Sequence, residues 1–394
     1  MKFAVILPDG AHDEPLPALG GLTPLEVANV PHLDWVARHG RLGRAVTIPT
    51  GFTPGTDVGT LTLLGFDPHL YYTGRAPLEA AAKGLRVRAD QLIFRCNFVH
   101  VADGRMTDFT AGHIEPAHAN RLVQSLNEAL GVDGCEFHAG VSYRNLLLLG
   151  HAGEIKVKCQ PPHDVPDQPV ADHWPVGAGA ERVMQIMERA ARVLADHPVN
   201  RERVAAGHHP ATNIWLWGQG RPTQLEPFSE RHGLRGAVIT AVDLIRGMAV
   251  CTGMDLIEVP GATGYIDTDY DAKGRAAVRA LDDYDIVFVH VEAADEAGHL
   301  GDAREKVKAL ERIDEAVVGP VLEALRRRPE WRILVAADHP TPASTRAHSA
   351  VPPLFAFAGT GVEAVERRPF TEKDAAGGIF LDPGHPIMRT FLGQ

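Results

Sequence analysis

The sequence predicts an α/β protein: a parallel-rich central sheet flanked by helices, with an α+β domain inserted into it. Three observations carry that expectation. Short continuous runs of β-branched and aliphatic residues recur at Phe3–Leu7, Asp255–Val259, Asp285–Val291, Arg332–Ala336 and Leu354–Ala358, the pattern of parallel strands buried on both faces. Helical stretches separate these runs, as parallel neighbours require. Between residues 82 and 203 the character changes to short alternating segments, which places an inserted domain at 82–203 and a core at 1–81 with 204–394.

Taken in order, Phe3–Leu7 is the first strand, and Pro8-Asp9-Gly10 ends it. Thr23-Pro24-Leu25-Glu26 then opens a helix: Thr caps, Pro occupies the first turn and Glu reaches back to the cap. Pro31 restarts the helix and Gly40 ends it. Thr56 stands where a helix running to Leu64 begins, with Gly65 just past its end. In the inserted region, Leu92–Val101 and Arg144–Leu149 alternate like strands of an antiparallel or mixed sheet, His118–Leu130 and Ala180–Asp196 are helical, and Pro161–Pro166 is a loop without regular structure. From Arg304 to Leu325, Val307, Leu310, Ile313, Val317 and Val321 make one apolar helical face, which Pro320 bends near its end.

Composition excludes several classes of function. Lys and Arg number 39 against 50 Asp and Glu, a formal net charge of −11, so a surface able to neutralise nucleic-acid phosphates is not expected. No window of about 18 apolar residues offers a membrane span, and Phe3–Leu7 is too short for a secretory signal. Cys96, Cys135, Cys159 and Cys251 lie far apart, with neither a disulfide framework nor a CxxC zinc pattern. These features describe a cytoplasmic protein; its oligomeric state is not legible.

Open parallel sheets bind ligands beyond the carboxyl ends of their strands. Asp9 follows the first strand; Asp295 and His299 follow the strand ending near Val291; Asp338 and His339 follow the strand ending at Ala336, with His348 nine residues later. Singly, each reads as a turn residue or a solvated pair. Together, three carboxylates and three histidines form a mixed N/O donor set, which favours manganese or zinc over the oxygen-only cages of calcium or magnesium. Six groups exceed one tetrahedral site, so two divalent cations are expected. Pro54-Gly55-Thr56-Asp57 supplies something for them to act on. The Thr56 hydroxyl has two compatible readings, an exposed helix cap and a nucleophile that attacks phosphorus while the helix N-terminus steadies the phosphate.

Five segments extend this reading: Leu7-Pro8-Asp9-Gly10, Pro54-Gly55-Thr56-Asp57 with Leu63–Pro68, Tyr72–Ala80, Asp295-Glu296-Ala297-Gly298-His299, and Ala337–Pro342 with His348. On them the chain resembles the 2,3-bisphosphoglycerate-independent phosphoglycerate mutases, in their shorter archaeal-type branch, within the alkaline phosphatase superfamily. The resemblance implies an alkaline-phosphatase-like core with an inserted substrate-binding cap, and an enzyme interconverting 3-phosphoglycerate and 2-phosphoglycerate. It also implies one cation held by Asp295, His299 and His348 and a second by Asp9, Asp338, His339 and the Thr56 hydroxyl. These would be manganese, with zinc or magnesium as alternatives. The family generally carries serine where Thr56 stands. A phosphoglycerate has two anionic ends, which bidentate arginine matches; Arg75, Asn97, Arg144 and Arg246, with His113 and His163, are the expected substrate contacts. Mutases of this branch place arginines near the segment that here reads Asp108–His113. With Gly140–Asn145, Pro162–Pro166 and His197–Arg201, that segment makes the cap similar to a side branch proposed to be homoserine kinases. A homoserine kinase or a metal-dependent phosphatase on the same core, and a non-catalytic binding protein, are the competing readings. The absence of a Walker-type phosphate loop favours the mutase, and the intact donor set argues against lost chemistry.

Overall fold

The computed structural model describes all residues, Met1–Gln394, and the chain divides into two compact units: Met1–Tyr72 with Gln224–Gln394, and Thr73–Thr223. The expected boundaries at 82 and 203 differ from these. The strand Asn213–Gly220 pairs along Leu92–Ala102, and the helix Arg75–Ala82 packs on the same strands, so both belong to the second unit.

The first unit is built on an eight-stranded sheet in the order Asp255–Leu256, Gly236–Ile239, Ile286–Val291, Lys2–Pro8, Trp331–Ala336, Leu354–Gly359, Gly40–Ala45, Ile379–Leu381. Lys2–Pro8 runs parallel to Ile286–Val291 on one side and to Trp331–Ala336 on the other. Along it Ala4 and Ile6 enter a core formed with the helices Pro31–Arg38, Tyr270–Asp283 and Ala303–Ile313, while Phe3 faces the other way against Phe391. Burial on both faces explains its unbroken apolar run.

Four local expectations need correction. Leu354–Gly359 is antiparallel to both of its neighbours; it reads as a parallel strand because a central strand covered on both faces is apolar throughout, whatever its direction. The run Asp255–Val259 pairs only over Asp255–Leu256. Gly40 does not end a helix: it opens the strand Gly40–Ala45, where a Cβ would lie 2.0 Å from the Phe357 carbonyl oxygen. Pro162–Asp164, inside the expected loop, forms a 3₁₀ turn. The long helix after Arg304 is Ala303–Ile313, then a π-helical turn Asp314–Val318, then Gly319–Arg326 with Pro320 in its first turn, where no amide hydrogen is needed. The widened turn takes up the register change.

The second unit is antiparallel. Its sheet runs Arg105–Asp108, Leu92–Ala102, Arg144–Leu149, Cys135–Val141, with Asn213–Gly220 also paired to Leu92–Ala102. The amphipathic helices Pro116–Leu130 and Ala180–Ala195 bury Leu122, Leu126, Val183 and Leu194 in a core with Phe94, Phe98 and Trp215. No helix of the chain is long and apolar enough to cross a membrane.

Candidate metal and nucleophile site

Topology brings the site together. The three central parallel strands end at Pro8, Val291 and Ala336 on one edge of the sheet; Asp9 and Asp338 follow within two residues, and Asp295 lies in the first turn of the helix Ala293–Leu300. Close approach of the backbones is allowed by small residues. Gly10 has φ +60, and a Cβ there would lie 2.7 Å from the Cα of Asp295; a Cβ on Gly59 would lie 2.4 Å from the carbonyl oxygen of Asp338. The second contact seats the helix Thr56–Leu63 against the strand-end loop.

Two ligand groups result. In the first, His299 Nε2 lies 3.2 Å and His348 Nε2 3.4 Å from the Asp295 carboxylate, and the two Nε2 atoms are 2.9 Å apart. The other ring nitrogens donate to backbone carbonyls, His299 Nδ1 to Arg346 at 3.0 Å and His348 Nδ1 to Pro54 at 3.2 Å. A carbonyl only accepts, so both Nδ1 atoms carry hydrogen and both Nε2 lone pairs converge, as ligating histidines do. The Asp295 hydrogen bond, opposed by burial, raises His299 to about 9. Burial works to raise Asp295 as well, but hydrogen bonds from His299 and His348 outweigh it and hold that carboxyl well below its ordinary range.

In the second group, His339 Nε2 lies 3.3 Å from Asp9 Oδ1, 3.4 Å from Asp338 Oδ2 and 3.2 Å from the Thr56 hydroxyl oxygen. Thr56 Oγ1 is also 3.2 Å from Asp9 Oδ2. Asp9, Asp338 and His339 are fully buried, yet Asp9 Oδ1 and Asp338 Oδ2 accept no hydrogen bond. Buried, unpaired carboxylate oxygens facing an imidazole nitrogen are costly unless a cation completes them, so this donor set fits a divalent ion. Burial, with the charges of Asp338 and Asp295 behind it, pushes Asp9 well above the ordinary range.

Thr56 is placed differently from the expected exposed cap. It is the first helical residue, its hydroxyl caps nothing, and it is only 6% exposed; Gly55 is the cap residue. The hydroxyl points into the second group instead, while the first-turn amides remain unpaired within the helix.

Sequence reasoning missed His290 and Glu292. His290 Nε2 donates to Asp9 Oδ2 at 2.8 Å, with its Nδ1 3.2 Å from the Thr240 hydroxyl, so it fixes the Asp9 carboxylate from behind. Glu292 Oε2 lies 3.4 Å from the same Nε2 and has no hydrogen-bond partner. Burial and the Asp9 charge push Glu292 up. The signal was available: His290 interrupts an otherwise apolar strand and Glu292 stands just past its end.

The expected substrate residues divide. In the second unit, Arg144 lies 5.1 Å over Tyr143, and His163 packs edge-on to Trp217 at 5.1 Å. Arg95, not singled out from sequence, covers Trp217 at 4.2 Å and pairs with Glu79 at 3.0 Å. Burial lowers His163, against the charge of Asp164 and with those of Arg95, Arg75 and Arg144 adding to it, so these cations share one neighbourhood. Asn97 is buried, its Oδ1 accepting from Trp217 Nε1 at 3.1 Å, and supports that ring. His113, at φ +48, reaches the cluster through Tyr143, 6.1 Å away. Arg246 belongs to the first unit, where Glu258 engages both of its terminal nitrogens.

A family model described as 2,3-bisphosphoglycerate-independent phosphoglycerate mutase matches residues 37–200. The chain is 48% identical over 394 residues, all of both chains, to the Methanothrix thermoacetophila protein of that name. It is 50% identical to 2,3-bisphosphoglycerate-independent phosphoglycerate mutase 2 of Methanothermobacter thermautotrophicus, over 94% of this chain and 92% of the relative. Among solved structures, the PH0037 protein of Pyrococcus horikoshii superposes with a TM-score of 0.83 at 29% identity, covering 100% of this chain and 96% of the other. The cofactor-independent phosphoglycerate mutase of Thermoplasma acidophilum superposes with a TM-score of 0.68 at 27% identity, covering 100% and 99%. Relatedness to mutases at 48% identity over its whole length places this protein in the 2,3-bisphosphoglycerate-independent phosphoglycerate mutase family.

Proposed function

We propose that this chain interconverts 3-phosphoglycerate and 2-phosphoglycerate by carrying the phosphoryl group on Thr56. The observation that supports this most directly is the Thr56 hydroxyl, buried at the start of a helix and 3.2 Å from both Asp9 and His339. Asp295, His299 and His348 would hold one divalent cation, and Asp9, Asp338, His339 and Thr56 the other. Divalent cations, manganese by this mixed donor set with zinc or magnesium as alternatives, acidify a hydroxyl and screen phosphate charge. Asp9 Oδ2 accepts the Thr56 hydroxyl hydrogen, so the proton has a destination as the oxygen attacks phosphorus. The bond between phosphorus and the substrate oxygen breaks as the bond to Oγ1 forms, and the departing alkoxide takes up the proton that Thr56 gave to Asp9. The free amides of the first helical turn face the phosphoryl oxygens. Return of the group to the other hydroxyl of glycerate completes the isomerisation. Within the second unit, Arg75, Arg144 and His163, joined by Arg95, are proposed to hold the substrate's anionic groups, with Asn97 and His113 supporting them. Arg246, already paired with Glu258, is the weakest of the seven.

Purified chain given manganese and 3-phosphoglycerate, without bisphosphoglycerate, is expected to form 2-phosphoglycerate. No conversion, together with homoserine-dependent consumption of ATP, would contradict the mutase and favour a kinase on the same core. Gly59→Ala probes placement without touching a donor. The new methyl would push the helix away from Asp338, and a displacement near 1 Å costs roughly 10²-fold in turnover. Steady-state kinetics with circular dichroism checks this; parental turnover would show that this contact does not position Thr56.

A further inference from the structure

We propose that Thr341 is a positioning residue whose single hydroxyl couples the two cation groups, setting the tautomer of His339 in one and the carboxylate orientation of Asp295 in the other. The inference rests on the two-cation reading above. Thr341 Oγ1 donates to Asp295 Oδ1 in a short hydrogen bond and lies 3.2 Å from His339 Nδ1. A carboxylate oxygen offers only lone pairs, so the one hydroxyl hydrogen goes to Asp295. The oxygen that remains can only accept, and His339 Nδ1 must be the donor. The imidazole is thereby held with hydrogen on Nδ1 and its Nε2 lone pair directed at Asp9, Asp338 and Thr56. Backbone carbonyls impose the same tautomer on His299 and His348; for His339 the Thr341 hydroxyl does so beside the Pro340 carbonyl, and that hydroxyl also holds a ligand of the other group.

The hydroxyl is itself held in place. Buried Lys306 donates to the Thr341 carbonyl at 2.9 Å, to the His12 carbonyl at 3.3 Å and to Asp13 Oδ2 at 2.7 Å. The Thr341 amide donates to the same His12 carbonyl at 3.3 Å. Bare glycine backbones press on it from two sides. A Cβ on Gly10 would come within 2.7 Å of Thr341 Oγ1, and one on Gly298 within 2.4 Å of its carbonyl oxygen. These contacts fix the backbone that presents the hydroxyl to both groups.

Manganese titration of the metal-stripped chain by calorimetry tests this, because it reads each group without turnover. The isosteric Thr341→Val keeps the shape and removes the hydroxyl; Thr341→Ser keeps the hydroxyl and removes the methyl. The parent is expected to bind two ions, T341V to bind both about 10- to 100-fold more weakly, and T341S to stay within about threefold of the parent. Weakening at one ion only would overturn the coupling, as would parental affinity in T341V. A T341S defect as deep as that of T341V would assign the effect to packing and overturn the proposal. If T341V does not fold, T341S decides alone: a loss of about tenfold or more at either ion contradicts it. A parent that binds no manganese overturns the two-cation reading itself, and this inference with it.

Discussion

Replacing Thr56 with Ala is expected to abolish mutase turnover while the chain stays folded. Loss of a nucleophile is felt on the scale of roughly 10⁴-fold or more, because the remaining groups have nothing to which the phosphoryl can pass. The structural cost is small by comparison. The hydroxyl caps no helix, and Asp9 Oδ2 keeps its hydrogen bond from His290, so about 1 kcal/mol of hydrogen-bond stabilisation is lost. Thr56→Ser is the informative partner, since it retains the hydroxyl and matches the residue common in the family. Turnover within about tenfold of the parent is expected, as the methyl makes no proton or phosphoryl contact. Steady-state kinetics of both variants, with thermal melts, checks the pair. A T56A enzyme that still turns over would mean another group carries the phosphoryl.

Chelation is expected to lower the unfolding temperature, and the gap between loaded and stripped protein should widen as pH rises from 6.5 to 9. Asp9, Asp295 and Asp338 are buried carboxylates gathered in one place, which is unfavourable without compensating positive charge. An ion that binds only the folded chain stabilises it by about 4 kcal/mol when free metal is a thousandfold above its dissociation constant. The pH dependence comes from His299. Its folded value lies at about 9, raised by the Asp295 hydrogen bond above the ordinary 6.5. In the stripped chain the resulting stabilisation is fully present below 6.5 and is lost as pH rises through 9. Cation binding needs the neutral imidazole, so affinity moves the opposite way and increases over the same window. Melts at fixed manganese, with and without chelator, should diverge with pH; a constant gap would contradict the placement of His299 in the first group.

The gathering of the candidate cation ligands was legible in sequence because it depends on rules that need no tertiary information. Asp9, Asp295 and Asp338 each follow an apolar strand, and parallel strands end on one edge. Direction was not legible for Leu354–Gly359, since an apolar run records burial on both faces and says nothing of its neighbours. His290 and Glu292 escaped because a histidine inside a strand resembles a satisfied core residue until its partner, 281 positions away, is known. The pairing of Arg246 was hidden for a similar reason: its partner Glu258 is a separate loop residue that no periodicity connects to it. The second unit's cations lie on different elements, and only the folded sheet shows that Arg95, Arg144 and His163 surround Trp217 and Tyr143.

The most direct measurement is the site of phosphorylation during turnover. Chain incubated with manganese and 3-phosphoglycerate, quenched rapidly, digested and analysed by mass spectrometry should carry phosphate on the peptide containing Thr56, and fragmentation should place it on that residue. T56A treated identically should carry none. Phosphate on a different side chain, or continuing turnover with no phosphorylated peptide at all, would contradict the account.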